Sequence, residues 1–172
     1  MRDSVVEFIR LEHNDDIRVK NSRLAYVETL FIEKFCKYKP VHIEYDEYMH
    51  DIVYLRIIFK TSSNKFISFN IKEDSNHIHL SLPTFLNTLV DSPQSIYAYE
   101  YCKYSKSMGV YERLCETVNI KKENISTSAI TMQTNLYLNI LSDFISMAEI
   151  DKMVHTEFWP SIPFDYKDWV KN

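Results

Sequence analysis

The first residues whose spacing suggests chemistry are two histidines two positions apart, His77 and His79. Side chains at i and i+2 of a β-strand point to the same side, so both imidazoles could reach one zinc ion. A zinc site needs about three protein ligands, and His42, Glu44 or Asp46 could supply the third from a neighbouring strand. The alternative interpretation is that both histidines lie on the solvent side of a strand, because two histidines alone do not specify a metal site.

Glu44 and Asp46 are the second candidate, because they share one face if this stretch is extended. Paired carboxylates can hold a divalent cation or act as general acid and base. Together with His77 and His79 they would suit a metal-dependent hydrolase. The competing interpretation is a solvated acidic edge. Since no Ser, Cys or Thr stands in a nucleophile motif, we predict that the chain is not an enzyme. We also predict no metal site, because only the two histidines share a face and the sequence does not place a third ligand.

Residues 42–54 combine acidic side chains with tyrosines and contain neither Lys nor Arg. Acidic charge steers the encounter with a basic partner, and aromatic side chains supply contact area in the complex. The competing interpretation is that the tyrosines pack the sheet. We predict that a basic protein partner binds this segment through Glu44, Tyr45, Asp46, Glu47, Tyr48 and Asp51.

A tyrosine-rich stretch at residues 97–106 could stack nucleobases if lysines held the phosphates. Only Lys103 and Lys106 are basic in this stretch, and Glu100 opposes them. The formal net charge is −4, and the sequence has no basic stripe of the kind that nucleic-acid-binding domains carry. We therefore do not expect a nucleic-acid partner, and a tyrosine-lined groove or plain packing fits this stretch better.

The sequence contains one glycine, Gly109. Dinucleotide-binding loops need several glycines so that backbone N–H groups can approach a pyrophosphate, and P-loops need two. A single glycine cannot supply either kind of loop. We expect no cofactor held in this way, although nucleotide binding without such loops stays open.

Three cysteines occur, Cys36, Cys102 and Cys115, and no two of them form a CxxC pair. The N-terminal residues are charged throughout and contain no apolar signal-peptide region. No apolar run approaches the length of a membrane span. These features predict a cytoplasmic protein that is not associated with a membrane, with reduced cysteines that pack as small apolar side chains.

The elements that must position these residues follow from the hydrophobic period. Apolar and polar residues alternate from residue 41, and such runs recur until Pro83. Short turns between alternating runs indicate an antiparallel meander of four strands with one apolar face that helices must cover. Beyond the meander we predict a short helix at residues 84–91. Alternating tyrosines favour a strand over residues 95–104, although Ser92 and Pro93 would also suit the start of a helix there.

Helical spacing marks the remaining segments, and we predict helices at residues 4–13, 22–38, 110–118 and 127–148. Asn14, Asp15 and Asp16 are expected to end the first helix, and Pro40 to stop the second. The last helix carries a wide apolar stripe and should be central and largely buried. The fold prediction is one α+β domain over residues 1–172, with an antiparallel meander sheet of about four to five strands covered by helices.

In general character, over the whole chain, the sequence resembles the immunity proteins that bacteria make against delivered toxins. Those proteins are small, acidic, cytoplasmic and single-domain, and they carry no catalytic signatures. Phage-encoded inhibitors share this description. The resemblance implies stoichiometric binding and inhibition of another protein, such as a basic nuclease toxin. The metal-dependent hydrolase and a self-associating structural or regulatory module stay open as alternatives, and the sequence does not set the oligomeric state.

Overall fold

A computed structural model describes residues 12–48, 51–61, 64–89, 95–104, 106–123 and 125–148. In chain order the elements are α1 (Glu12–Lys20), α2 (Ser22–Lys34), β1 (Lys39–Tyr48), β2 (Ile52–Lys60), β3 (Phe66–Glu73), β4 (His77–His79), β5 (Thr84–Leu86), β6 (Ser95–Tyr97), α3 (Ala98–Tyr104), α4 (Met108–Thr117), β7 (Asn119–Lys121) and α5 (Thr127–Ala148). The architecture is α+β, as the sequence predicts, and the sheet is open rather than closed.

The sheet contains seven strands, and its main path runs in the order β1-β2-β3-β4-β7. All of its strand pairs are antiparallel. The first four strands form the meander that the alternation predicts, with β1 at one edge of the described sheet. β7 was not predicted, because three residues carry too little periodicity to be recognised as a strand.

β4 and β5 both pair with the same edge of β3. The register of the β3–β5 pairing differs by one residue from that of the β3–β4 pairing. Ser81 lies in this irregular stretch with a φ of 64°, a left-handed conformation that is uncommon outside glycine. The Ser81 hydroxyl donates a hydrogen bond to the Leu82 carbonyl at 3.1 Å. The Ser81 carbonyl accepts a hydrogen bond from the Tyr137 hydroxyl of α5. The bulge therefore joins the sheet to the helix layer.

The predicted helix at residues 84–91 is wrong for its first half, because Thr84–Leu86 pairs with both β3 and β6. Residues 87–89 are not helical either, and residues 90–91 lie outside the described part of the chain. The predicted strand within residues 95–104 is correct only for Ser95–Tyr97, after which the chain turns into α3. The first error involves a short segment whose structure is decided by strand pairing over long range rather than by local pattern.

The helix predictions at 22–38, 110–118 and 127–148 are confirmed, with α2 ending four residues early at Lys34. The predicted helix at 4–13 falls mostly outside the described residues. The predicted break at Asn14 to Asp16 is wrong, because α1 runs through it. Its acidic residues lie towards the N-terminal end of the described helix and its basic residues in the last turn, which suits the helix dipole.

The α2 and α5 helices lie side by side and run in the same direction. Tyr26 pairs with Thr131 through their hydroxyls at 2.7 Å, and Lys34 donates to Asn139 at 2.7 Å. Both bonds join residues 105 positions apart, so the two helices keep one register over more than two turns. Six residues of the predicted apolar stripe of α5 are buried: Ile130, Tyr137, Ile140, Leu141, Phe144 and Ile145. Leu136, also predicted for the stripe, is exposed, and the side chain of Ala148 lies outside the described ones.

An aromatic cluster fixes this helix layer on the sheet. Phe31 of α2 meets Phe69 of β3 edge-on with ring centroids 5.2 Å apart. Phe35 stacks on Phe69 at 5.7 Å and meets Phe59 of β2 edge-on at 5.6 Å. The α5 ring of Tyr137 lies 6.3 Å from Phe31. All five side chains are buried, so this cluster is the centre of the core.

Among the described helices, none is both long and apolar enough to cross a membrane.

Phe69 contacts three other phenylalanine rings, so shortening it should leave a cavity at the centre of the core. We predict that Phe69→Ala lowers the free energy of unfolding by about 3–5 kcal/mol. Met132→Ala, at an exposed position on α5, is the control and should change it by no more than about 0.5 kcal/mol. Urea denaturation of both variants measures the difference. A loss below about 1 kcal/mol for Phe69→Ala would show that the core lies elsewhere.

Candidate functional site

The sheet has two faces of different character, and the candidate site lies on the one turned away from α2 and α5. Strand register places Asp46, Tyr54, Lys72, His79 and Asn119 in one row across five strands. All five alternate with residues that point into the core, so they point to the opposite side. Polar and aromatic side chains therefore line this row of the open face.

Exposure concentrates where β1 and β2 meet at their hairpin. Tyr48 is 55% exposed and Tyr54 is 38% exposed, which is high for large side chains on a sheet. Asp46, Glu47 and Asp51 are also exposed at this end of the hairpin, although Glu47 alternates with Asp46 and Tyr48 and so points to the helix side of β1. We call these five residues the acidic hairpin end. The structure thus brings together four of the six residues predicted to bind a partner and adds Tyr54.

Glu44, the fifth predicted residue, lies on the same face but further along β1 and is only partly exposed. Its carboxylate oxygen Oε2 lies 3.0 Å from Nε2 of His42. Arg56 stands opposite it on β2. Because positive or polar groups already surround Glu44, its negative charge is less available to a partner than that of Asp46.

Tyr45, the sixth predicted residue, is a correction: it is 1% exposed and belongs to the core. Its side chain points to the helix side of β1, as does Ile43. Arg18 and Glu28 are near it and form an ion pair with 2.9 Å between Nε and Oε2. The hydrogen bond to Glu28 raises the pKa of Arg18, and Tyr45 acts in the same direction. The alternation with Ile43 was the sequence signal that Tyr45 faces inward.

His77 and His79 point to the open face of β4, as their spacing predicts. Strand register places Lys121 opposite His77, and Lys72 and Asn119 opposite His79. The ring nitrogen Nδ1 of His79 lies 2.6 Å from the Asn119 amide oxygen. The described part of the chain contains no group of three or more His, Cys, Asp or Glu side chains placed to hold a metal ion.

The carboxylates proposed as partners of these histidines lie on a distant strand. Glu44 and Asp46 are on β1, three positions from β4 in the sheet order. With about 4.8 Å between neighbouring strands, the separation is about 14 Å. One metal ion cannot bridge that distance, so the structure does not assemble the hydrolase site.

The tyrosine-rich stretch at 97–106 is divided between two elements and does not form one stacking surface. Tyr101 is buried and packs edge-on against Phe144 of α5 at 5.5 Å. Tyr99 is exposed and its ring meets Tyr111 of α4 at 5.3 Å. Packing explains these tyrosines, as the alternative interpretation of the sequence proposed.

The cysteines differ in their surroundings. Cys102 is buried, and burial raises the pKa of its thiol. Cys36 and Cys115 are exposed, which corrects the expectation that all three pack as small apolar residues. A raised pKa keeps a thiol protonated and unreactive, so Cys102 does not have the character of a catalytic nucleophile.

Comparison with known proteins adds no relative: no family model, curated protein or solved structure matches this chain.

The lysines beside His77 and His79 disfavour a bound cation, because like charges at a metal site repel it. We predict that elemental analysis of the purified chain detects no stoichiometric zinc. The matched variant is His77→Ala with His79→Ala, which should contain the same background amount. Zinc at one equivalent in the unmodified chain that disappears in the double variant would restore the metal-dependent hydrolase.

Proposed function

We propose that this chain is a binding protein that attaches to a basic protein partner through the acidic hairpin end and inhibits it, in the manner of an immunity protein. The observation that carries the proposal is the pairing of two exposed tyrosines with three exposed acidic residues at one end of an ordered sheet. The partner expected from this chemistry is a basic toxin, such as a nuclease, acting in the cytoplasm of a bacterium or of a phage-infected cell.

The two tyrosines suit an interface anchor. A tyrosine presents a large, rigid and amphipathic surface while losing only two side-chain torsions on binding. Tyr48 and Tyr54 extend from neighbouring strands that are hydrogen-bonded along their length, so their backbone is already ordered before a partner arrives. Preorganisation of this kind reduces the entropy lost on association.

The acidic residues suit recognition of a basic surface. Asp46, Glu47 and Asp51 are exposed, and the described residues show no ion pair to any of them. Their charge is therefore available to attract Lys or Arg on a partner and to accelerate the encounter. The same charge repels phosphate, which disfavours a nucleic-acid partner at this surface.

Self-association through the β1 edge is a weaker alternative. A long edge strand presents unpaired backbone groups that a second copy could bind. On β1, however, the segment that would pair with a second copy contains Glu44, Asp46 and Glu47, so acidic residues would meet acidic residues. Pro40 and a register irregularity next to it further interrupt the edge.

The partner can be identified by comparing three baits. The unmodified chain, Tyr48→Ala and Tyr99→Ala are immobilised, and the captured proteins are quantified by mass spectrometry. Tyr99 is the matched control because it is exposed to a similar degree but lies on α3. A true partner is captured by the unmodified chain and by Tyr99→Ala and is reduced with Tyr48→Ala.

With that partner in hand, we predict that Glu47→Lys and Asp51→Lys slow association by about tenfold at low salt and weaken its salt dependence. The matched controls Glu112→Lys and Glu116→Lys make the same charge change on exposed positions of α4 and should leave the association rate nearly unchanged. Stopped-flow or surface-based kinetics over a salt series measures the effect. Equal slowing in both pairs would mean that net charge alone steers the encounter, and the acidic hairpin end would lose its role.

We also expect the anchor to act on dissociation rather than on association. Tyr48→Ala should speed dissociation and cost about 2 kcal/mol or more of binding free energy, whereas Tyr99→Ala should not. Circular dichroism confirms that each variant is folded. If Tyr48→Ala binds as tightly as the unmodified chain, the interface lies on another surface.

A further inference from the structure

A second feature of the molecule is a cleft of about 590 Å³ at the end of the sheet where β3 turns into β4. It is lined by Arg23, Ser75, Asn76, His77, Lys121, Lys122 and Glu123. We call it the basic cleft. Its size lies within the range of sites that hold small molecules. Its residues come from α2, from the β3–β4 turn and from the end of β7, so only the folded chain assembles it.

The β3–β4 wall of the cleft is fixed by hydrogen bonds around Asp74. Its carboxylate oxygen Oδ1 accepts the backbone N–H of Asn76 at 2.8 Å and that of His77 at 2.7 Å. The hydrogen bond from Asn76 is the main cause that lowers the pKa of Asp74, and the hydrogen bond from His77 acts in the same direction. Lys122 donates its ammonium to the Asp74 carbonyl at 2.8 Å and its N–H to the Asn76 carbonyl at 2.9 Å. These hydrogen bonds join the β3–β4 turn to the residue that follows β7.

The charges of the cleft fall into two groups. Lys122 is largely buried, and its ammonium lies 3.6 Å from the Glu73 carboxylate, so its charge is balanced internally. Arg23 and Lys121 are exposed, and within the described residues neither forms an ion pair. Glu123 is the one acidic residue of the lining. The chain as a whole has a net charge of −4. The positive charge of the cleft is therefore local and is not a general property of the surface.

We propose that the basic cleft binds a small diphosphate-bearing anion. A guanidinium offers paired donors to phosphate oxygens, an ammonium adds a point charge, and the Asn76 amide and His77 imidazole can add further donors. The described residues that line the cleft include no Phe, Tyr or Trp, so the His77 imidazole is the one aromatic ring among them that a nucleobase could meet. The recognised group is the diphosphate, whether it is free pyrophosphate or part of a larger molecule. This proposal does not depend on the protein partner.

Isothermal titration calorimetry with pyrophosphate, at constant ionic strength and without any protein partner, tests the proposal. We expect one site per chain. Arg23→Gln with Lys121→Gln should weaken binding at least about tenfold, because charge-assisted hydrogen bonds are lost. The matched control is Lys39→Gln with Lys103→Gln, two exposed lysines outside the cleft. It removes the same charge and should change the affinity less than about twofold.

Two further arms make the outcome decisive. ADP should bind about as tightly as pyrophosphate if the diphosphate alone is recognised, and clearly more tightly if a nucleoside also contributes. Backbone amide NMR shifts of the unmodified chain should change at Asn76, His77 and Lys121 on adding pyrophosphate, which does not depend on how the variants fold. Absence of binding, equal weakening by the control pair, or shifts confined to other residues would overturn the proposal.

Discussion

The structure depends on the attachment of two parallel helices to one face of an antiparallel sheet. The aromatic cluster in which Phe31 and Phe35 meet Phe59 and Phe69 provides this attachment. Burial of apolar area is the main stabilising contribution to a fold of this kind, and aromatic side chains contribute the largest areas. Because strands alternate, fixing one face inward also fixes which residues face outward. Asp46, Tyr48 and Tyr54 face outward for that reason, whereas Glu47 and Asp51 are exposed at the end of the strands.

Two buried polar interactions refine this arrangement. The Tyr137 hydroxyl of α5 donates to the Ser81 carbonyl in the sheet bulge, and burial raises the pKa of that tyrosine. The Arg18–Glu28 ion pair links α1 to α2, with Glu28 almost fully buried. A buried ion pair adds little net stability, but removing one member leaves a costly unpaired charge. Both interactions therefore determine how the helices are positioned, and they supply only a small part of the stability of the fold.

The sequence predicts the parts of the fold that follow from local periodicity, such as the meander and α5. It does not predict β5 and β7, and it makes β6 too long, because three-residue strands exist only through pairing with neighbours that are distant in sequence. At the site, the amino-acid composition alone shows the acidic segment. Which of its side chains face the core is known only from the register of the paired strands. Tyr45 shows the difference: it belongs to the acidic segment by sequence and to the core by position.

The basic cleft lies beyond sequence reasoning for a related reason. Arg23 and Lys121 come from opposite halves of the chain, and only the packing of α2 beside the β3–β4 turn brings them together. Strand register places the β1–β2 hairpin and the β3–β4 turn at the same end of the sheet. One end of the molecule thus presents acidic and aromatic groups on one side and basic groups on the other. Such a separation can orient a partner that has the complementary charges.

The central claim is that the acidic hairpin end is the surface that a protein partner covers. Hydroxyl-radical footprinting tests it directly, because oxidation of a tyrosine side chain reports its solvent exposure. Tyr48, Tyr54 and Tyr99 are all exposed in the chain alone and should be oxidised there. With the partner bound, we expect protection of Tyr48 and Tyr54 and unchanged oxidation of Tyr99. Protection of Tyr99 with unchanged oxidation of Tyr48 and Tyr54 would contradict the account.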